Sequence, residues 1–582
     1  MMTASDIRQR ILSVVQTNGG HLASSLGAVE MAMALADVFD AHKDRIVWDV
    51  GHQAYAWKIL TGRDDRFETL RRLDGLAPFP TPLESDADAA VSGHAGSALS
   101  VALGFAAARD LKGTDEHVVA VVGDASIVNG HSFEALNNCD GATKKLIVVL
   151  NDNDMAISRP AGSFAKFLGR LITGVRYNRV KAAAEAAGHK MKLTFLRGLY
   201  HRVESRVKGL FLASRYFEQF GLRYIGPVDG HDLAALKAAF TVAKEDKRSV
   251  LVHVVTKKGK GYAPAERHPT EYHGVGAGML EGARLPAAQN ADWSATMGAA
   301  LVAAARKDSR VVALTAGMKD GTGLAAFAKE FPTRFFDVGI AEGHMVAFAA
   351  GLAAGGMKPV VCVYSTFLQR AIDQVVHDVA IARLPVVLCV DRAGVVGADG
   401  VTHQGLYDIA MLKSVPNLSI CQPCDGDDLA HLLDEALSRD APTLLRYPRG
   451  ECPKSLLHGA GGGLAQEIVN PDAKIQIWTT GDFLKKALHI AHETGAGVVL
   501  SRFLKPFDTA LLERQRARGC GIISLENGCV VGGFGESIGA DVTFGWPDAF
   551  VPHGAVADLE KRYGLDADTL TLKVKEFSKS WR

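Results

Sequence analysis

At 582 residues the chain has room for three or four domains of about 150 residues each, which excludes a small scaffold held together by disulfides. Its 65 basic and 64 acidic residues leave a net charge of +1, so there is no bulk electrostatic case for nucleic acid or a membrane surface, and the partners to look for are small molecules. Eight cysteines without the spacing of a disulfide framework suit a reducing, cytoplasmic compartment.

In chain order, the amino terminus scatters Asp6, Arg8 and Arg10 among apolar residues and shows no export-signal pattern. Short continuous apolar runs then recur with helical patterns between them, the mark of parallel strands buried on both faces. Val118–Val122 and Leu146–Leu150 flank a helical segment near Ser132–Asn138 and make one βαβ unit. Between Ser158 and Leu222 the chain is basic and lacks a strand signal, which predicts helices or a loop over a site. A second series of strands is predicted at Val311–Leu314, Pro359–Val363, Pro385–Val390 and Thr443–Arg446, and a third at Ile475–Trp478, Val498–Leu500 and Ile522–Leu525. The most membrane-like stretch, Met345–Met357, has 13 residues and three glycines, short of the roughly 20 that a span requires. Glycine-rich segments at Gly274–Asn290 and Gly459–Gly463 read as linkers. The expectation is an α/β protein of three domains, 1–290, 291–465 and 466–582, each a mostly parallel sheet flanked by helices.

The sharpest local chemistry is Gly123-Asp124-Ala125 directly after one buried strand, and Asn151-Asp152-Asn153 directly after the next. The carboxyl edge of an open parallel sheet is where such folds bind ligands. Converging carboxylate and amide oxygens beside a glycine turn suit Mg²⁺ carrying a diphosphate, because that ion takes one or two protein oxygens and fills its shell with phosphate and water. Taken singly, Asp124 reads rather as a helix cap and Asn153 as a turn residue. Cys421 and Cys424 have the spacing of a redox or zinc pair but no second pair, so that spacing reads as coincidence.

These residues lie within longer blocks. Gly20–Gly27, Trp48–Tyr55, Lys58–Arg63, Tyr224–His231, Lys257–Gly261, Tyr364–Arg370, Asp391–Gly394, Gly397–Gly400 and Arg446–Gly450 resemble the 1-deoxy-D-xylulose-5-phosphate synthase family, and the resemblance covers nearly the whole chain. It implies a transketolase-like fold and a homodimer. It further implies a condensation of pyruvate with D-glyceraldehyde 3-phosphate, dependent on thiamine diphosphate and Mg²⁺, that releases CO₂ and yields 1-deoxy-D-xylulose 5-phosphate, a precursor for isoprenoid and thiamine biosynthesis.

The resemblance also implies roles. Gly123, Asp124, Ala125, Ser126, Asn153 and Met155 match the diphosphate and metal region, with Asp124, Asn153 and Met155 as metal ligands. His52, His94 and Lys258 match cofactor contacts, and His21, His52 and His273 match histidines that donate to or take protons from the reactants. Glu342 matches the carboxylate that hydrogen-bonds the aminopyrimidine, and Phe367 the aromatic residue stacked upon it. Arg392 and Arg449 match the acceptor's phosphate site, for which guanidinium forks are suited. Tyr364, Arg370, Asp399 and His403 lie in the same blocks and would orient the acceptor.

The chain departs from the family at Ala125, where glycine is usual, at Val128–His131, at Gly343, where glutamine is usual, at Lys319 and at Ile372. These departures gather around the diphosphate and pyrimidine positions rather than the acceptor arginines. Two other readings therefore compete: a related two-carbon transferase of transketolase type with another donor or acceptor, and a non-catalytic paralogue.

Overall fold

The computed structural model describes residues 2–153, 214–280, 291–457 and 462–581. They form two compact units, Met1–Leu285 and Pro286–Arg582. Met155 and the segment predicted as helices or a loop up to residue 213 lie outside the described residues.

In the first unit, β1 (Arg45–Trp48), β2 (Val118–Gly123), β3 (Ile147–Asp152), β4 (Arg223–Asp229) and β5 (Val250–Val255) form one sheet in the order β1-β2-β3-β5-β4. Every neighbouring pair is parallel. The central strands are apolar on both faces because helices cover both. The helix Leu233–Glu245 shows how: Asp232 caps it by accepting from the N–H groups of Ala234 and Ala235, and Leu236, Ala239, Phe240 and Ala243 form its buried stripe.

The second unit holds two sheets. β6 (Val311–Thr315), β7 (Phe335–Asp337), β8 (Lys358–Tyr364), β9 (Val387–Asp391), β10 (Ser419–Cys421) and β11 (Thr443–Arg446) make the first of them. The second begins with β12 (Ala465–Val469), β13 (Ile475–Thr479) and β14 (Gly497–Ser501). The chain then sends β15 (Phe503–Lys505) across to lie antiparallel to β10, before β16 (Gly521–Cys529) and β17 (Val542–Trp546) complete the order β12-β14-β13-β16-β17. Apart from β15 and the antiparallel edge strand β12, both sheets are parallel. The α/β class with mostly parallel sheets is thus borne out.

Two fully buried ion pairs fasten these sheets within the unit. Arg446, at the end of β11, reaches Asp408 through Nε at 3.0 Å and Nη2 at 3.1 Å. Arg502, between β14 and β15, reaches Asp428 at 2.8 Å on the helix Gly426–Ser438. Among the described residues no helix is long and apolar enough to cross a membrane. All eight cysteines are free and buried, and burial pushes the thiols of Cys421 and Cys424 upward, as expected of inert core residues.

Glu526, within β16, is fully buried and accepts from the N–H groups of Phe534 at 2.7 Å and Gly535 at 2.8 Å. Burial outweighs those bonds and pushes its carboxyl up from 4.5 to about 7. Between those values the folded chain holds a proton that the unfolded chain has released, so Glu526 makes stability fall as pH rises through the interval, by at most about 3 kcal/mol. Asp391, Asp482 and Glu342 are raised for the same reason and act with the same sign. The diagnostic is therefore a difference: the thermal midpoint of Glu526→Gln should drop less between pH of about 5 and about 8 than that of the parent chain. Equal drops would remove Glu526 from this account.

Candidate active site

In the first unit three imidazoles gather. The ring centroids of His21, His52 and His273 lie 6.1, 5.8 and 5.2 Å apart, and Phe79 closes on His21 at 5.3 Å. His21 stands before the short helix Leu22–Gly27, its N–H donating to the Tyr55 hydroxyl at 3.2 Å. Ser24 on that helix faces His273 Nδ1 at 3.4 Å, and Ser25 donates to the carbonyl of His52 at 2.9 Å. Burial, with help from His21 and Lys258, holds the His52 imidazole well below its usual range, so it is neutral at neutral pH. Its Nδ1 is shut from solvent and has no hydrogen-bond partner among the described residues.

His52 follows a strained turn. Val50 has φ of 60°, a conformation that a β-branched residue adopts only when its surroundings enforce it. The enforcing group is Asp49, whose buried carboxylate accepts from Gly96 N–H at 2.8 and 3.1 Å. That bond ties the turn of His52 to the turn of His94.

β2 and β3 pair with Gly123 opposite Asn151, so Asp124 and Asn153 leave the same edge of the sheet from adjacent strands. Asp124 opens the short helix Asp124–Ile127 and is buried, as is Ser126, while Gly123 precedes it in extended conformation. Ala125 lies inside the helical turn, at negative φ, where a methyl group carries no backbone strain. Lys258 is buried close to this edge; desolvation brings its ammonium down to about 8, opposed by the charge of Asp124. Among the described residues no group of three or more His, Cys, Asp or Glu side chains could hold a metal ion.

In the second unit Glu342 is the first residue of the helix Glu342–Ala354 and is 3% exposed. Burial raises its carboxyl, and the guanidinium of Arg370, 3.7 Å away, works in the opposite direction. Tyr364 ends β8, with Phe367 stacked on it at 5.7 Å and His403 edge-on to Phe367 at 5.7 Å. Arg392 lies 4.0 Å over the Tyr364 ring, a cation–π contact. Its backbone has φ of 57°, and its Nε is buried with no hydrogen-bond partner among the described residues. Arg449 is held by Asp399 at 3.6 Å and by the Val396 carbonyl at 3.4 Å. Six of the eight second-unit residues singled out from the sequence, Tyr364, Phe367, Arg392, Asp399, His403 and Arg449, thus end or follow β8, β9 and β11, while Glu342 and Arg370 pair with each other.

Sequence reasoning missed the residues that hold these groups in place. Glu84 and Asp88 pin the fully buried Lys58 and the guanidinium of Arg63, the latter at 3.0 and 2.6 Å, and so fasten the loop leading to His94. His231 is a second strut. Its Nε2 accepts from the N–H of Lys257 at 2.8 Å, which leaves Nδ1 to donate to Glu30 at 3.2 Å. Hydrogen bonds from His231 and Arg8 hold Glu30 down to about 2 against its burial. Both ends of this strut stood in the blocks singled out above, Tyr224–His231 and Lys257–Gly261, but only a tertiary structure could connect them.

Residues 1–256 match the family described as 1-deoxy-D-xylulose-5-phosphate synthase, and residues 289–454 match the transketolase pyrimidine-binding domain. The 1-deoxy-D-xylulose-5-phosphate synthase 1 of Geobacter metallireducens is 44% identical over 99% of this chain and 96% of its own length. The 1-deoxy-D-xylulose-5-phosphate synthase of Desulforudis audaxviator is 44% identical over 97% and 92%, and that of Clostridium beijerinckii 42% identical over 98% and 95%.

The His231 strut is directly measurable. His231→Ala removes the acceptor of the Lys257 N–H, and that amide should exchange its hydrogen about tenfold faster, the scale of one lost hydrogen bond. Unchanged exchange in the peptide covering Lys257–Gly261 would show that the turn is held by other means.

Proposed function

From the chain's membership of the 1-deoxy-D-xylulose-5-phosphate synthase family, carried by 44% identity over 99% of its length, we propose a role for each cluster of side chains. The activity is the condensation of pyruvate with D-glyceraldehyde 3-phosphate, releasing CO₂ and giving 1-deoxy-D-xylulose 5-phosphate, with thiamine diphosphate as cofactor. When bound, that cofactor supplies the electron sink for breaking and making the carbon–carbon bonds.

The residues present suit it. Asp124 and Asn153 offer the carboxylate and amide oxygens that Mg²⁺ prefers, an ion that fills the rest of its shell with phosphate and water. Gly123, Ala125, Ser126 and Lys258 complete the diphosphate side, with Met155 as the further ligand in the same proposal. The unpartnered Nδ1 of His52 is a neutral imidazole atom that a bound polar group would satisfy.

Glu342 hydrogen-bonds the pyrimidine ring and favours its imino form. Its burial favours a shared proton over a bare carboxylate, so the group can give and take hydrogen at one oxygen in a dry setting. Phe367 supplies the face on which the ring rests. His21, His52 and His273 donate to the reactants' oxygens, His52 and His94 contact the cofactor, and Phe79 packs against His21. Arg392 and Arg449 neutralise the acceptor's phosphate, while Tyr364, Arg370, Asp399 and His403 fix its hydroxyl and carbonyl. The same reading takes 1–290, 291–465 and 466–582 as functional segments, and the protein as a cytoplasmic homodimer, twofold pairing being the commonest closed assembly.

Incubation with pyruvate, D-glyceraldehyde 3-phosphate, Mg²⁺ and thiamine diphosphate should give 1-deoxy-D-xylulose 5-phosphate, identified by mass spectrometry and NMR; another sugar phosphate, or none, overturns the proposal. Glu342→Gln should retain cofactor affinity and lose about 10²-fold or more in turnover. Near-normal turnover would take Glu342 out of its role.

Arg392→Ala and Arg449→Ala should each raise KM for D-glyceraldehyde 3-phosphate about tenfold or more and leave KM for pyruvate nearly unchanged. Equal effects on the two substrates would contradict the phosphate assignment.

A further inference from the structure

We infer that Asn527, on β16 of the third sheet, is the positioning residue that sets Arg392 and Arg449 against each other; this rests on the assignment of those arginines to the acceptor's phosphate. Asn527 touches the loops of both. Its Oδ1 accepts from the N–H of Val395 at 3.3 Å, three residues beyond Arg392. Its backbone carbonyl accepts from Arg446 Nη2 at 3.0 Å, three residues before Arg449. The two loops are stitched together between these points, Ala393 N–H donating to the Tyr447 carbonyl at 3.0 Å and Tyr447 N–H to the Val390 carbonyl at 3.0 Å.

The amide of Asn527 has one permitted orientation. Oδ1 faces two donors, Val395 N–H and Trp546 Nε1–H at 2.8 Å, and Nδ2 faces the carboxylate of Asp482. Asp482 also accepts from Gln422 Nε2 at 2.6 Å, and Gln422 Oε1 in turn accepts from Arg446 Nη1 at 2.6 Å. Arg446, Gln422, Asp482 and Asn527 therefore close a ring of buried hydrogen bonds, and a guanidinium fully removed from water tolerates no opening of it. The loop fits this amide closely. Gly394 has φ of +83°, and a side chain at that position would collide with the Asn527 amide, so the backbone beside Arg392 rests directly on it. A group built this way fixes where two arginine-bearing loops start without meeting a substrate itself.

The test separates positioning from stability. Asn527→Ala and Asn527→Asp should raise KM for D-glyceraldehyde 3-phosphate about tenfold, with KM for pyruvate changed less than about twofold, since a buried donor or acceptor is left unpaired at one loop only. Asn527→Asp sets a second carboxylate against Asp482. Adding Asp482→Asn restores a donor facing an acceptor, so the double variant should recover most of the lost acceptor affinity. Gln515→Leu removes another buried amide, on the helix Thr509–Ala517, which accepts from Trp478 Nε1 of the same sheet at 2.9 Å, and should lower the thermal midpoint without that split. If the Asn527 variants lose stability or turnover but affect both KM values alike, or if Gln515→Leu produces the same split, the inference is overturned. Arg392→Ala and Arg449→Ala measured alongside tell the failures apart. A split in the arginine variants alone sinks only the role of Asn527, whereas no split in the arginine variants sinks the acceptor assignment and this inference with it.

Discussion

A parallel strand buried on both faces can present chemistry only where it ends, and that constraint places nearly every group considered above. β2 and β3 run side by side with Gly123 opposite Asn151, and their next residues are Asp124 and, two further on, Asn153. β8, β9 and β11 run with Tyr364 opposite Asp391 and Val390 opposite Arg446, so that Tyr364, Arg392 and the loop to Arg449 emerge along one edge. The apolar stretches of these strands, mostly Val, Leu and Ile, serve to pack. The polar work is confined to the first few residues after each apolar run.

Strand ends are also where backbone is least constrained, and the protein spends other interactions to constrain it. Val50 and Arg392 both sit at positive φ, which costs of order 1–3 kcal/mol each. Asp49 holds the first turn through Gly96. The second is held from the third sheet, by Asn527 and the ring of buried polar groups around Arg446. Such a ring adds little net stability compared with an apolar core of the same volume, but it admits a single arrangement. That is a property a two-arginine site requires more than stability.

Much of this was legible beforehand. Most strands of continuous apolar residues were readable because burial on both faces favours that pattern, and Asp124 and Asn153 could be placed after neighbouring strands from the apolar runs before them and their separation. β1, β4, β5, β7, β10, β12, β15 and β17 were not singled out: Arg45–Trp48 is short and begins with a charge, Arg223–Asp229 is interrupted by Gly226 and Pro227, Val250–Val255 carries His253 inside its apolar run, and Val542–Trp546 is only half buried at an edge. The struts were invisible for a different reason. Glu30 and His231 lie 201 residues apart, and His231 meets Lys257 through a backbone N–H that every residue carries. Nothing in a local pattern marks such a partnership, so motif blocks reveal which residues matter without revealing what they hold.

The departures from the family pattern take on physical meaning only with the backbone in view. Ala125 is the substitution that most threatened a diphosphate site, because glycine there would suggest positive φ. Instead the residue belongs to a right-handed helical turn, and the methyl adds no backbone strain. Gly343 is the converse. It is the second residue of the helix that Glu342 opens, and a Cβ there would stand 3.0 Å from Gln374 Oε1, an atom buried with no hydrogen-bond partner among the described residues. A side chain at 343 would thus make the Gln374 amide give way slightly. With glycine at 343, the amide of Gln374 lies close against the first turn of the helix that Glu342 opens, so polarity at that turn is supplied from the neighbouring turn rather than from a side chain on residue 343 itself.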